Sequence, residues 1–142
     1  MAQLRADQKN YKDAFNQHYD AYIKWNNTNS TTSKRMILAY CVECGLKCLV
    51  MKENRIQMVS QAQSDLQREL GEHDFVKLLI RLKQAGPYWF GPFRTEYNNI
   101  VEPYTYHQIC RYSIRPRQKE KEQVEKYEHQ LDTIAKWIRE RI

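Results

Sequence analysis

Apolar side chains recur along this chain at three- and four-residue steps, the period of an amphipathic helix. Tyr11, Phe15, Tyr19, Tyr22 and Ile23 define a first helix over 8–26. The polar run from Asn26 to Ser33 ends it and offers N-cap candidates for the next. Residues 34–52 are apolar on almost every face, the mark of a central buried helix, except for Glu43 and Lys47 at i,i+4 with Glu first. Ile56, Val59, Gln63, Leu66 and Leu70 predict a thinner helix over 56–70, closed by Gly71. Asp74 can cap a helix over 75–84 with Phe75, Leu78, Leu79 and Leu82 on one side. Two Gly and two Pro make 85–92 a loop. Phe93, Tyr97, Ile100 and Val101 predict a short helix stopped before Pro103, and 104–112 is read as another. Beyond Pro116, Val124, Tyr127, Leu131, Ile134 and Ile138 define a last helix over 118–141. This pattern is all-α, an antiparallel bundle of four to five helices. The 142 residues read as a single domain, 1–142, without internal repeats.

Composition sharpens that picture. Only four Gly and four Pro leave few tight turns for a sheet fold, and 42% hydrophobic residues suffice for a core. The longest apolar run, Met36 to Val42, is far short of a membrane span, and the start of the chain lacks an apolar leader segment. The four cysteines read as reduced thiols of a cytoplasmic protein, so the sequons at Asn26 and Asn29 are expected to stay unmodified. Cys41, Cys44 and Cys48 share one helical face, where small buried thiols explain them better than a zinc site with three ligands. Glycine-rich phosphate loops, GxSxG and HExxH are all absent, and no cofactor is expected.

The net charge is +6, and it is concentrated. Between Arg111 and Lys121 stand five cations (Arg111, Arg115, Arg117, Lys119 and Lys121) against one anion, Glu120. A local +4 points to a polyanion such as RNA or a nucleotide, or else to a solvated basic turn. Tyr88, Trp89, Phe90 and Phe93, with Tyr104, Tyr106 and Tyr112, lie beside it. Stacking rings among cations suit single-stranded RNA, although Trp89 and Phe90 fit a lid over the core better. Metal-free RNA cleavage needs a proton carrier and a cation for the charged phosphorane. Two pairs offer both: Arg111 with His107 at i,i+4, and Arg68 with His73 around Gly71. For His73 the plainer role is a helix-start residue; for His107, a surface histidine beside aromatic rings.

Three segments together resemble the HEPN family of small helical bundles. Ala39 to Leu49 is similar to its buried second helix with a Glu-x-x-Leu-Lys core. Gly71 to Leu79 is similar to its Gly-His-Asp-Leu element, with Glu72 inserted. Arg111-Tyr112-Ser113-Ile114 is similar to its Arg-Tyr-Pro element. The resemblance spans about 30–140 and implies a bundle that commonly forms a homodimer with a groove between subunits. Many members are metal-independent ribonucleases of toxin–antitoxin and antiviral defence systems, with an Arg-x4-6-His motif before the last long helix. Here Arg111 matches the arginine, but 116–118 hold Pro116, Arg117 and Gln118 instead of the histidine. Members without the motif act as binding or dimerisation modules, some beside a nucleotidyltransferase partner encoded nearby. The resemblance therefore implies an RNA- or nucleotide-binding defence protein first. An active ribonuclease and a non-catalytic interaction subunit are the alternatives.

Overall fold

A computed structural model describes residues 6–26 and 31–142. The described residues form six α-helices: α1 (Gln8–Ile23), α2 (Thr31–Glu53), α3 (Ser64–Leu70), α4 (Phe75–Arg81), α5 (Tyr106–Arg111) and α6 (Lys121–Arg139). The all-α class expected from the periodicity is the one observed. Residues 27–30, half of the run expected to cap α2 and the larger part of both sequons, lie outside the described residues. The central place of α2 is as expected too: α1, α4, α5 and α6 all pack against it. Its Leu38, Val42, Leu46, Val50 and Met51 are buried. Gly45 makes this closeness feasible, because a Cβ there would sit 2.7 Å from Ile138 Cγ2 on α6 and 2.7 Å from Phe15 Cδ2 on α1. No helix among the described residues is long and apolar enough to cross a membrane.

Local chemistry explains where the helices start and stop. The Asp7 carboxylate accepts from the Asn10 amide at 2.8 Å while Asn10 Oδ1 accepts from the Asp7 amide at 3.0 Å, a reciprocal cap for α1. The helix expected over 56–70 is instead one 3-10 turn (Val59–Gln61) followed by α3. Gln61 Oε1 takes the amides of Gln57 and Met58, which closes the turn on itself and breaks the helical hydrogen-bond ladder. α4 ends three residues earlier than expected, where Lys83 adopts φ 58°. The last helix opens with a 3-10 turn, Gln118–Glu120, before α6.

The helix expected over 93–101 does not form. The segment is a small antiparallel hairpin, β1 (Phe93–Arg94) and β2 (Ile100–Val101), pairing Phe93 with Val101 and Arg94 with Ile100. Asn98 takes φ 67°, and its amide bonds to the Thr95 carbonyl at 2.9 Å. The Asn98–Asn99 turn and the β-branched Ile100 and Val101 prevail over the helical spacing. The basic segment lies along this hairpin: Thr95 bridges to Pro116, the Glu96 amide bonds to the Arg115 carbonyl, and the Arg117 amide bonds to the Arg94 carbonyl.

The α6 stripe from Val124 to Ile138 is buried within the chain's own core, where α6 packs on α2. The loop splits its aromatics. Phe90 meets the Phe75 ring edge-on at 4.8 Å and the Tyr127 ring at 5.0 Å, as a lid should. Trp89 stays 57% exposed, its backbone clamped at both N–H and C=O by the Gln130 amide.

Candidate active site

Glu43 and Lys47 are both buried in an otherwise apolar helix. A charge in that setting is stable only when paired and hydrogen-bonded. Lys47 Nζ lies 2.9 Å from Glu43 Oε1, the pairing read from the i,i+4 spacing. A third residue completes it: His73 Nδ1 lies 2.8 Å from the same oxygen. Burial pushes the Glu43 carboxyl up, but the His73 hydrogen bond and the charge and hydrogen bond of Lys47 outweigh it and leave it below its ordinary value. Glu43 is therefore a carboxylate that only accepts. His73 Nδ1 must carry the hydrogen of this bond, and Nε2 of the neutral ring is left as a free base.

His73 stands two residues before α4. Asp74, not His73, is the cap: its Oδ1 accepts the amides of Val76 and Lys77. With its side chain 44% exposed, His73 is reachable from solvent. The first turn of α5 places His107 against it, with ring centroids 4.2 Å apart. His107 is not the surface histidine of the plainer reading; it is 8% exposed, and its buried Nδ1 has no hydrogen-bond partner among the described residues. Burial first, then His73 and Arg111, pull its pKa below 6.5, against the opposing pull of Glu43.

One turn along α5, Arg111 lies over the rings of Tyr40 (5.6 Å) and Tyr112 (5.9 Å) and donates to the Tyr40 hydroxyl. No carboxylate among the described residues pairs with it. Tyr40 also neighbours the His107 ring, at 6.5 Å. Between the starts of α4 and α5 an open groove of about 560 Å³ is lined by both histidines, Glu72, Asp74, Lys77 and Gln108 among others.

The two histidine pairs of the sequence thus share one site in part. His73, His107 and Arg111 come together. Arg68 does not join as a free cation: it is exposed and lies 3.6 Å from Asp65 and 3.6 Å from Glu72. The basic segment is divided as well. Arg115 and Lys121 line a different cavity, Lys119 is exposed, and Arg117 is paired with Glu120 at 3.0 Å. Sequence reasoning missed Glu43 as the partner of His73, and Tyr40 as the rest for Arg111. The signal for Glu43 was present: a charge pair inside an apolar helix calls for further partners. The cysteines behave as packing groups. Cys41 Sγ lies 3.8 Å from the Phe15 carbonyl, and burial pushes the Cys44 and Cys110 thiols up to about 11.

Chemically the groove offers a base oriented by a buried carboxylate and a second imidazole in ring contact with it, while the exposed Arg111 guanidinium stands one turn further along α5, outside the groove's lining. Adjacent imidazoles disfavour double protonation, which is one of the causes that lower the His107 pKa. Compared with known proteins, this chain matches no family model, no curated protein and no solved structure.

Proposed function

We propose that this chain is a HEPN-like RNA-binding protein that cleaves RNA without a metal ion in the groove lined by His73 and His107, with Arg111 reaching in from one turn along α5. The observation that carries the reading is the contact of His73, fixed by buried Glu43, with His107 at 4.2 Å. In the proposed reaction His73 Nε2 takes the proton of a ribose 2′-hydroxyl. The 2′-oxygen forms a bond to phosphorus, and Arg111 faces the charge of the phosphorane. The bond to the 5′-oxygen breaks, and His107, in the protonated minority that its lowered pKa leaves at neutral pH, supplies the proton that oxygen needs. The products are a 2′,3′-cyclic phosphate and a 5′-hydroxyl end. The resemblance of Ala39 to Leu49, Gly71 to Leu79 and Arg111 to Ile114 supports a place in a toxin–antitoxin or antiviral system, with a partner encoded nearby.

The test is incubation of end-labelled single-stranded RNA in EDTA. The wild type is expected to release cyclic-phosphate ends. His73→Gln and His107→Gln should each lower the rate by about a hundred- to ten-thousand-fold. Arg111→Ala should also reduce the salt slope of RNA binding by about one unit, the loss of one phosphate contact. A wild type that binds RNA and never cuts it makes the chain a binding module, and one that does neither makes it an interaction subunit.

A further inference from the structure

A second concavity shares no lining residue with the histidine groove. It encloses about 400 Å³ where α2, α5 and α6 meet the basic segment. Cations reach it from three separate parts of the chain: Arg35 on α2, Arg115 on the segment before α6, and Lys121 on the first turn of α6. Arg35 is ion-paired with Glu128. Arg115 and Lys121 have no carboxylate partner among the described residues and are both exposed.

Lys121 is misplaced for the helix alone. A cation at a helix N-terminus adds to the partial positive charge there, where an anion would offset it. Glu120 could have capped α6, but it makes no side-chain cap and its carboxylate is held by Arg117. In the first turn of α6 Glu122 alone is acidic, and it stands outside the cavity's lining. The wall is otherwise mixed. Ile109 and Val124 offer an apolar surface, and Glu125 supplies one carboxylate. A bare anion would find no use for the apolar wall and would be repelled by Glu125. A ligand with a phosphate at one end, a flat apolar ring, and hydroxyl or amino donors fits all three.

We propose that this cavity is a second ligand site that takes a nucleoside monophosphate. Arg115 and Lys121 hold the phosphate. The base lies against Ile109 and Val124, and Glu125 accepts from a ribose hydroxyl or an exocyclic amine. The volume lies within the range of small-molecule sites. The assignment does not depend on RNA cleavage in the other groove.

Isothermal titration of the full chain with AMP, GMP, CMP and UMP tests it, alongside inorganic phosphate and the four unphosphorylated nucleosides. At least one nucleotide should bind more tightly than phosphate and more tightly than its nucleoside. Arg115→Ala with Lys121→Ala should weaken that nucleotide by about tenfold or more, since charge-assisted hydrogen bonds are the strong ones. Glu125→Gln should change nucleotide affinity and leave phosphate affinity unchanged or raised. His107→Gln should leave nucleotide binding as in the wild type, which separates this site from the histidine groove. Circular dichroism checks that the exposed substitutions keep the fold. No nucleotide binding below about 1 mM overturns the proposal. So does phosphate binding equal to nucleotide binding, or nucleotide binding indifferent to the Arg115 and Lys121 changes.

Discussion

Glu43→Gln keeps the shape of the side chain and removes its charge. In the folded chain Glu43 and Lys47 have side chains only 8% and 7% exposed, so Lys47 would be left as a buried cation without its counter-charge. Breaking a buried pair from one side costs roughly 3–5 kcal/mol. A domain of this size is stable by roughly 5–15 kcal/mol, so the loss is a large share of the whole. With a urea slope of about 1–3 kcal/mol per molar, the midpoint should fall by roughly 1 M or more. The assay is urea unfolding followed by far-ultraviolet circular dichroism. The double variant Glu43→Leu with Lys47→Met removes both charges at once and should recover most of the stability, because an apolar replacement of a buried pair is often neutral or better. It should not recover cleavage, since His73 Nδ1 has then lost the Glu43 acceptor that orients it. Stability and activity thus part company in the double variant. An unchanged midpoint for Glu43→Gln would refute the buried pair. Full-rate cleavage by the double variant would refute the role of Glu43 in orienting His73.

Gly45→Ala places a methyl group 2.7 Å from both Ile138 Cγ2 and Phe15 Cδ2, and should cost roughly 1–3 kcal/mol in the same urea assay. His107 gives up its proton more readily in the folded chain than at its ordinary 6.5, so the folded state binds fewer protons there. Its share of stability is intact above that value and is lost as pH falls through 6.5 toward the lower folded value; His107→Gln should flatten this stretch of a melting-temperature profile, with His73, Glu43 and Arg111 facing the ring unchanged. Glu43, lowered by folding, adds stability above its ordinary 4.5 that disappears at more acid pH, and Glu43→Gln should remove that second limb. Light scattering at micromolar concentration is expected to give twice the 17.2 kDa chain mass, through exposed groups such as Tyr97, Ile100 and Tyr112; a single-chain mass rules out pairing.

The parts of the fold that were legible are those where one helix face does one job. α1, α4 and α6 each show their buried side as a regular stripe, and α2 is legible for the opposite reason, being apolar almost all round; both patterns locate their helices to within a few residues. The 93–101 segment misled because Phe93, Tyr97, Ile100 and Val101 also fit helical steps, and only the Asn98–Asn99 turn separates the two conformations. The site was legible in the same measure. His107 and Arg111 share a helix, and their spacing alone puts them one turn apart. Glu43 and His73 are thirty residues apart in sequence, and only the packing of α4 on α2 brings them into contact. Arg68 had the right spacing to His73 but is held by Asp65 and Glu72, acids whose direction the sequence does not reveal.

The hairpin beside the basic segment changes what that segment is. Four trypsin targets in eleven residues, with Arg115 excluded by the Pro116 after it, would ordinarily mark a segment that is cut first. Here the backbone at Arg115, Pro116 and Arg117 is laid along the β1 edge like a third, borrowed strand. A protease needs that backbone in its own cleft, so it must first peel the segment from the hairpin. The same attachment bears on recognition. Fixing a flexible residue costs roughly 1–2 kcal/mol, and for these residues that entropy is surrendered when the chain folds. Any polyanion that arrives later finds Arg115 already presented on a rigid ribbon, and it pays only for its own ordering.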